Sequence, residues 1–393
     1  MNALVLGYGR SGKAAAALLG RSSCSVTVLD GAAPFPDGEY ALAVVSPGIS
    51  PAHPWMAACR ERGIALKSEL QLGCEELKRR GWKLLAVTGS KGKSSVVKVV
   101  ADAINLSGRH AVACGNYGVP VCEVAGDRTS EPSEPSSNPS WAVVEVSSFM
   151  METTELKPDT FEAAAILNLQ EDHLDRHGSV EVYHALKRKL LTMAKRGFEL
   201  CPPVPVDASW WRGSYFDNEI LSGNSALAMT LMRAAGLDDK LIARAFHEFV
   251  PLPHRMNLVT EQGGVRFIDD SKATSIAALA AGVKMASSGK RTIRLLAGGL
   301  PKGDEPETVG ELLTERVKKV YLIGQSAEAF AAAWSRSTDC EICGTLERAV
   351  AAAKREAEKG ETVLLSPGTA SFDQFNSFEE RGEVFAELVK KQG

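Results

Sequence analysis

Short apolar runs alternate with stretches of helical spacing along the first eighty residues of the chain. The run NALVL ends in the glycine turn GYGRSG, and an alanine- and leucine-rich stretch follows it. Three more short apolar runs lie in SVTVLD (25–30), YALAVVSPGI (40–49) and GIALKSEL (63–70). Because strands that alternate with helices form parallel sheets, the pattern predicts a Rossmann-like domain over residues 1–82.

The alternation continues through residues 83–252. Apolar runs in KLLAVT, WAVVEV and AAAILNL predict further strands, and VEVYHALKRKLLTMA predicts a helix. Residues 126–140 are rich in Ser and Pro without apolar side chains, which predicts an exposed loop. The Pro, Gly and paired Trp residues of the segment 196–220 predict an irregular link with at most one or two strands. We therefore expect a central domain built on a parallel sheet.

A third segment, residues 253–393, repeats the pattern. Its apolar runs lie in VRFIDD, RTIRLLAGG, KKVYLIG and TVLLSPG, and FEERGEVFAELVKK predicts a closing helix. This segment is a second Rossmann-like domain. The predicted fold class is therefore α/β with three domains.

Composition narrows the class of protein. The chain has 393 residues, 45% hydrophobic and 24% charged, as expected of a soluble globular enzyme. A net charge of −3 gives no reason to expect nucleic acid as a partner. No apolar run reaches the ~18 residues of a membrane span, and the first residues lack a signal-peptide pattern. The eight cysteines are expected to be reduced thiols in a cytoplasmic protein.

The segment GSKGKSS, residues 89–95, carries the clearest chemistry. Gly89 and Gly92 let backbone amides approach phosphate oxygens, and Lys93 places a positive charge against the terminal phosphates. Ser94 or Ser95 can hold Mg²⁺. Only two residues separate Gly89 from the Gly-Lys pair, whereas the common phosphate-binding loop has four. The sequence predicts a nucleotide site with a short loop.

Polar side chains at the ends of other predicted strands are its candidate partners. Glu145 ends one strand, and Asp172 and His173 follow another. Carboxylate and imidazole groups beside a triphosphate are suitable Mg²⁺ ligands. Asp172 alone is equally well explained as a structural group.

The turn GYGRSG has the G-x-G-x-x-G spacing, formed by Gly7, Gly9 and Gly12, and Asp30 closes the second strand. Such a turn binds a dinucleotide or any other ligand with a diphosphate, and it can also be a purely structural turn. The third segment has further polar residues at strand ends, and the lysines among them could hold carboxylates or phosphates. These residues are Asp270, Lys272, Thr274, Lys302 and Ser371.

Taken in order, nine motifs resemble the Mur ligases. They are VTGSKGKSS, GNYGVP, VVEVSSFMME, ILNLQEDHLDRH, YHALKRK, LPHRM, DDSKATS, LLAGGLPKGD and SPGTASFDQFNSFEERG. The last three are most similar to members that add D-glutamate to UDP-N-acetylmuramoyl-L-alanine. The resemblance implies an ATP- and Mg²⁺-dependent ligase that forms an acyl phosphate. It would act in cytoplasmic peptidoglycan precursor synthesis, and hence in cell-wall growth and division.

The resemblance also implies roles for individual residues. The first domain would bind the UDP-sugar, not NAD, through Tyr8, Gly9, Arg10, Ser11, Asp30, Ser46, Pro47 and Gly48, with Asn116 and Ser147 at its muramoyl-peptide end. ATP would contact Gly89, Ser90, Lys91, Gly92, Lys93, Ser94, Ser95, Asn224, Arg255, Asp270 and Lys272, with His254 beside Arg255 at the start of the third domain.

The D-glutamate pocket would contain Thr274, Lys302, Ser371 and Phe378. The metal ligands would be Ser94, Glu145, His173 and Lys187, the last as a carbamate formed with CO₂. The catalytic residues would be Lys93, Glu145, His173 and Lys187. The partners would be the small-molecule substrates alone, without nucleic acid or membrane, and the protein would be a monomer.

Departures from the family pattern keep alternatives open. The central domain, of the P-loop ATPase type, is shortened, because family members usually carry several more strands after the YHALK helix. The His-Asn pair usual before the helix that carries Asn224 is also absent, and, as a smaller departure, Asp269 stands where Asn is usual. One alternative is a Mur-like paralogue that joins a different amino acid to a different acid. Another is a binding or regulatory protein that kept the fold without turnover. An NAD-dependent dehydrogenase would depend on the GYGRSG turn alone.

Overall fold

A computed structural model describes residues 1–127, 139–200, 207–218, 221–287, 289, 291–301, 303 and 305–391. Most of the predicted loop at 126–140, and also Lys302, lie outside these ranges. The described residues form three sheets. The α/β class with three sheet domains is thus confirmed, and the predicted boundaries after residues 82 and 252 stay predictions.

The first sheet has four parallel strands in the order β2-β1-β3-β4. All four predicted strands form, and every residue of the third strand is buried. The elements are β1 (Asn2–Leu6), α1 (Arg10–Arg21), β2 (Ser25–Leu29), β3 (Leu42–Val45), α2 (Pro54–Glu61), β4 (Ala65–Ser68) and α3 (Glu69–Arg79).

The second sheet is also parallel, in the order β6-β7-β5-β8-β9. Its elements are β5 (Lys83–Thr88), α4 (Lys93–Leu106), β6 (Ala111–Gly115), α5 (Val121–Gly126), β7 (Trp141–Glu145), α6 (Ser148–Met151), β8 (Ala163–Ile166), α7 (Leu174–His177), α8 (Val180–Lys189), a 3₁₀ helix (Leu190–Met193), β9 (Gly197–Glu199), a second 3₁₀ helix (Ala208–Trp210), α9 (Ser222–Ala234) and α10 (Asp239–His247). Within the described part of residues 196–220, β9 is the one strand, as the sequence predicts.

The first two sheets share one hydrophobic core. Leu18 of α1, Leu77 of α3 and Val124 of α5 belong to a single buried cluster that also includes Leu84 of β5. Helix α5 packs closely against α3 at Gly73, where an added Cβ would lie 2.7 Å from the carbonyl carbon of Val121. The contact is made by main-chain atoms, which a rotamer change cannot move.

We expect Gly73→Ala to lower the free energy of unfolding by about 1–3 kcal/mol, because the new methyl overpacks this contact. Gly20→Ala in α1 is the matched control, since a Cβ there meets nothing within 4 Å. The control should be neutral or stabilise by ~0.5–1 kcal/mol, as alanine is the better helix former. Denaturant titration of both variants measures the difference, and equal effects would mean that the α3–α5 contact is loose.

The third sheet has six strands in the order β10-β11-β15-β12-β13-β14, with buried clusters on both faces. Its elements are β10 (Asn257–Gln262), β11 (Val265–Asp269), α11 (Ile276–Ala286), β12 (Ile293–Gly298), a 3₁₀ helix (Pro306–Val309), α12 (Gly310–Arg316), β13 (Val317–Ile323), α13 (Ala327–Trp334), β14 (Asp339–Gly344), α14 (Leu346–Glu356), β15 (Thr362–Leu365) and α15 (Phe378–Lys390).

Strands β6, β10 and β14, each at the edge of its sheet, were not among the predicted strands. Of these, β10 carries the clearest sequence signal. It pairs antiparallel with β11 at the sheet edge. Gly263 and Gly264 join the two strands with φ of 60° and 76°, which is the left-handed backbone of a tight hairpin turn. A Gly-Gly pair between two β-prone runs is a hairpin signal, so this strand was within reach of the sequence.

By internal contacts the chain divides into two compact units. Residues 1–217 and 221–249 form the first, which holds the first two sheets, and residues 250–393 form the bulk of the second. None of the described helices is both long and apolar enough to cross a membrane.

The described cysteines are free thiols. Cys340 and Cys343 have the C-x-x-C spacing, but both lie on β14, and they belong to the clusters on opposite faces of the third sheet. Burial raises the pKa of each thiol to about 11. The pair therefore lacks the geometry and the acidity of a redox-active motif.

Candidate functional site

The GSKGKSS loop joins β5 to the N-terminus of α4 at the carboxyl end of the second sheet. Strand β5 is central, with β7 on one side and β8 on the other. Gly89 and Gly92 have φ of 151° and 81°, which residues with a Cβ rarely adopt. A Cβ on Gly92 would also lie 2.1 Å from the side-chain nitrogen of Asn224. Both glycines are therefore required by the loop's shape.

Asn168, directly after the apolar run of β8, holds this loop in place. Its Oδ1 accepts hydrogen bonds from the amides of Ser90 (3.0 Å) and Lys91 (2.8 Å). Its Nδ2 donates to the carbonyl of Lys91 (2.8 Å) and to Oδ1 of Asn224 (3.1 Å). Asn168 was not among the predicted residues, although a polar side chain at the end of a buried strand is the same signal that identified Glu145, Asp172 and His173.

Lys93, the first residue of α4, turns its side chain back over the loop. Its Nζ donates to the carbonyl oxygens of Gly89 (2.9 Å) and Ser90 (3.2 Å). Ser94 is half-buried and Ser95 is buried. The N-terminus of a 14-residue helix and a lysine ammonium thus lie together, which is an arrangement that binds phosphate.

Lys187 on α8 is almost fully buried beside the loop, with 2% of its surface exposed. Its Nζ donates to the carbonyl oxygen of Gly89 at 3.0 Å and lies 4.4 Å from the centre of the Tyr183 ring. Burial, followed by repulsion from Lys93, lowers the pKa of Lys187 to about 7, against the attraction of Asp172 and Glu145. A large part of this lysine is therefore a neutral, nucleophilic amine near neutral pH.

Glu145 at the end of β7 is 2% exposed, and its two carboxylate oxygens differ. Oε1 accepts a hydrogen bond from Nδ2 of Asn116 at 2.8 Å. Oε2 is buried and has no hydrogen-bond partner among the described residues. A buried carboxylate oxygen without a partner is costly, and a bound cation would relieve that cost. The residue fits the Mg²⁺ role that the sequence implied.

His173 precedes α7 with a φ of 54°, and its ring packs 4.8 Å from that of Phe149. Asp172 accepts a hydrogen bond from the His173 amide, which gives that carboxylate a structural partner. Among the described residues no three His, Cys, Asp or Glu side chains form a ready metal cluster. A cation held here would need phosphate oxygens or water to complete its shell, as Mg²⁺ commonly does.

In the first domain, the glycine turn is tied to the ends of the neighbouring strands. Asp30 Oδ1 accepts from the amide of Tyr8 (3.1 Å), and the Ser46 hydroxyl donates to the carbonyl of Gly7 (2.8 Å). A Cβ on Gly12 would lie 1.9 Å from that same carbonyl oxygen. The structure thus brings together Asp30, Ser46 and the glycine turn, which are three separate segments of the sequence.

Two arginines connect this turn to the central domain. Arg10 donates to the carbonyl of Gly118 (2.6 Å), in the GNYGVP segment. Arg176 donates to the carbonyl of Ile49 (3.0 Å), next to the SPG turn, and forms an ion pair with Glu152 (2.7 Å). Arg176 was not among the predicted residues. It holds the SPG turn against the segment that follows β8.

Ser147 has a local structural role in the central domain. Its hydroxyl oxygen accepts a hydrogen bond from the amide of Met150 at 3.3 Å and so caps α6. The predicted contact of Ser147 with substrate stays a prediction.

In the second unit, the predicted residues lie at the carboxyl end of the third sheet. Asp270, Lys272 and Thr274 follow β11, Ser371 follows β15, and Phe378 begins α15. The Lys272 ammonium lies 5.0 Å from the centre of the Phe378 ring. Lys302 is outside the described residues.

Buried polar groups surround these residues. Asp270 Oδ2 accepts from the Ser366 hydroxyl at 2.9 Å, and burial raises the pKa of Asp270 to about 7. His254 Nδ1 lies 2.6 Å from Oδ2 of Asp269, and that hydrogen bond raises the pKa of His254. Nε of Arg255 is buried without a hydrogen-bond partner among the described residues. Asp269, which replaces the usual Asn, thus favours a charged His254.

The loop between β5 and α4, with its lysines and buried carboxylate, defines a nucleotide-binding α/β enzyme of the P-loop class. Residues 87–201 match the family model of the Mur ligase middle domain, and residues 254–368 match that of the Mur ligase, glutamate ligase domain. The chain belongs to the Mur ligase family. It is 34% identical to the UDP-N-acetylmuramoylalanine–D-glutamate ligase of Gloeobacter violaceus, over 98% of each chain.

Solved structures agree with the fold. The MurF ligase of Thermotoga maritima in complex with ADP is 15% identical, with a TM-score of 0.59 over 90% of this chain and 96% of that one. The UDP-N-acetylmuramate–alanine ligase MurC of the same organism is 14% identical, with a TM-score of 0.57 over 99% of each chain. At these identities the likeness concerns the fold alone. Membership of the family leaves the dehydrogenase alternative without support.

Proposed function

We propose that this protein is an ATP-dependent ligase that joins D-glutamate to UDP-N-acetylmuramoyl-L-alanine in peptidoglycan precursor synthesis. The names of its relatives support the reaction. The observation that carries it is the convergence of Lys93, the buried Lys187 and the buried Glu145 around one short glycine loop. That arrangement suits phosphoryl transfer, in which positioning and charge do most of the work.

The reaction has two chemical steps. A carboxylate oxygen of the UDP-sugar peptide attacks the γ-phosphorus of ATP, and ADP leaves with the electrons of the broken P–O bond. The D-glutamate amine then attacks the carbonyl carbon of the acyl phosphate. Phosphate leaves, the nitrogen loses a proton, and an amide bond remains. Lys93 and the N-terminus of α4 stabilise the negative charge that develops on the phosphoryl group.

Magnesium would be held by Ser94, Glu145 and His173, and it would neutralise charge on the phosphates when bound. The partnerless Oε2 of Glu145 is the feature that fits it. Lys187 would act as a carbamate. Its lowered pKa supports this role, because CO₂ reacts with a neutral amine and not with an ammonium ion. The modified side chain would be an anion close to Lys93.

The remaining sites follow the same scheme. The glycine turn of the first domain would receive the UDP group, with Asn116 and Ser147 toward the muramoyl peptide. Residues of the third domain, Arg255, Asp270 and Lys272, would contact the nucleotide, while Thr274, Lys302, Ser371 and Phe378 would hold D-glutamate. We further propose that the protein is a cytoplasmic monomer whose partners are its small-molecule substrates.

Phosphate release from ATP in the presence of Mg²⁺ tests the proposal. The assay combines UDP-N-acetylmuramoyl-L-alanine with D-glutamate, L-glutamate, L-lysine, diaminopimelate or L-alanine. We expect release that requires both the UDP-sugar and D-glutamate. Release with another amino acid would make the chain a paralogue. No phosphate release with any of these amino acids, despite binding of the UDP-sugar, would favour a protein that kept the fold without turnover. The missing His-Asn pair would then be the first cause to test.

A further inference from the structure

Arg381, in the first turn of α15, is one of the largest fully buried side chains of the protein, with 1% of its surface exposed. Its guanidinium donates four hydrogen bonds. Nε donates to Oγ of Ser271 (3.0 Å), and Nη2 donates to the carbonyls of Ser271 (2.9 Å) and Thr369 (3.2 Å). Nη1 donates to the carbonyl of Ala370 at 3.3 Å. All four acceptors are uncharged oxygens.

These acceptors belong to loops that leave adjacent strands. Ser271 follows β11, and Thr369 and Ala370 follow β15, which is the neighbour of β11 in the sheet. The carbonyl of Ala370 also accepts from the amide of Leu300 at 2.9 Å, in the loop after β12 on the other side of β15. The guanidinium of Arg381 thus lies at the carboxyl ends of three adjacent strands. It bonds directly to the loops after β11 and β15, and it is connected to the loop after β12 through the carbonyl of Ala370.

The helix that carries Arg381 is itself fixed against these loops. The hydroxyl of Ser271 donates to the carbonyl of Phe378 at 2.8 Å. At the next residue after Arg381, a Cβ on Gly382 would lie 2.1 Å from Nδ1 of His254 and 2.7 Å from Oδ2 of Asp269. The first turn of α15 therefore packs closely against the residues at the end of β11.

A buried arginine usually has a carboxylate partner, because desolvating a lone charge is costly. Here burial lowers the pKa of Arg381 to about 10, and Asp373 and Asp269 offset part of that effect from a distance. The side chain stays protonated at neutral pH. The hydrogen bonds of the guanidinium therefore offset its desolvation cost. This planar, forked group donates to several carbonyl oxygens at fixed positions, which no single uncharged side chain could do.

We propose that Arg381 is a positioning residue of the amino-acid pocket. Its guanidinium fixes the relative positions of the loops that carry Thr274 and Ser371, together with Phe378 at the start of its own helix. The proposal rests on the proposed function, which assigns those three residues to D-glutamate. In this role Arg381 acts through the loops and not by contact with the substrate, and Asp270, which is anchored separately by Ser366, is less dependent on it.

Arg381→Lys tests the proposal, because lysine keeps the charge and loses the fork. We expect the KM for D-glutamate to rise by about tenfold or more, with the KM for ATP changed by less than about threefold. Arg294→Lys is the matched control. Arg294 is also buried, but it pairs with Glu361 (2.6 Å) and Tyr321 (2.7 Å) at the opposite, amino end of the same sheet.

Both variants should lower the Tm, and only Arg381→Lys should raise the KM for D-glutamate. Equal Tm losses with an unchanged KM for D-glutamate in both would overturn the proposal and leave Arg381 a purely structural residue. If Arg381→Lys does not fold, Ser271→Ala replaces it. That change removes one acceptor and the bond to Phe378, and it should raise the same KM by about threefold; no rise would refute the proposal.

The amino-acid specificity of the unmodified enzyme is measured first, so that a failure of the proposed function can be told from a failure of the proposed role of Arg381. An enzyme that uses a different amino acid would refute D-glutamate as the substrate. The role of Arg381 would then be tested on the KM for that amino acid, with the same control.

Discussion

Lys93→Ala should abolish ligation, with a loss of turnover of about 10³-fold or more. The ammonium of Lys93 lies over the carbonyls of Gly89 and Ser90 at the start of α4, where the proposed mechanism requires a positive charge against the terminal phosphates. Alanine removes that charge. The helix itself should persist, because alanine is the best helix former. Turnover is measured as phosphate release under saturating substrates.

Binding of the UDP-sugar separates this effect from unfolding. The glycine turn of the first domain follows β1 of the first sheet, whereas Lys93 follows β5 of the second, so the variant should bind the UDP-sugar with unchanged affinity by calorimetry. Lys98→Ala is the control on the same helix. Lys98 forms an ion pair with Asp102 (2.6 Å), and this pair is not part of the loop. The control variant should keep full activity. Unchanged turnover in Lys93→Ala would remove the loop from the mechanism.

Lys187→Ala should be nearly inactive, with a loss of about 10³-fold, and should be rescued in part by small carboxylates such as acetate or formate. The substitution leaves a space next to Gly89 that such an anion can enter. Lys189→Ala is the control two residues further on: Lys189 is only partly buried and pairs with Glu155 at 2.6 Å. The control should retain activity and respond to no carboxylate.

The pH dependence of the unmodified enzyme gives a second readout for Lys187. An ordinary lysine with a pKa of about 10.4 is almost entirely protonated at pH 8, whereas Lys187 with a pKa of about 7 is mostly neutral there. Carbamate formation, and activity with it, should therefore decline as the pH falls through 7, and added bicarbonate should restore part of the lost activity by mass action. Full activity of Lys187→Ala would mean that the carbamate assignment is wrong.

The fold was largely within reach of the sequence because its strands are buried on both faces. Continuous apolar runs such as LAVV in β3 and TVLL in β15 have no other stable environment than the middle of a parallel sheet. Edge strands β6, β10 and β14 were missed because many of their residues are only partly buried, so their apolar pattern is weak. In β10, Gly263-Gly264 was the one strong signal.

Lys93, Glu145 and Lys187 were candidates from the sequence because they belong to recognisable motifs, whereas Asn168, Arg176 and Arg381 were not. Asn168 and Arg381 act through hydrogen bonds to main-chain atoms that lie 77 and 110 residues away in sequence, and no local pattern records such partners. Their roles depend on which strands are neighbours.

By itself, the sequence determined the class of the protein: three α/β segments, a short phosphate loop and an ordered set of Mur ligase motifs. These are local properties, since periodicity, glycine spacing and residue type act within one element or turn. The tertiary structure decided the electrostatic state of the site. A lysine on a helix is normally a solvated cation. Only packing against Gly89 and Tyr183 buries Lys187 and brings its pKa near 7, because desolvation depends on neighbours that the chain meets only after folding.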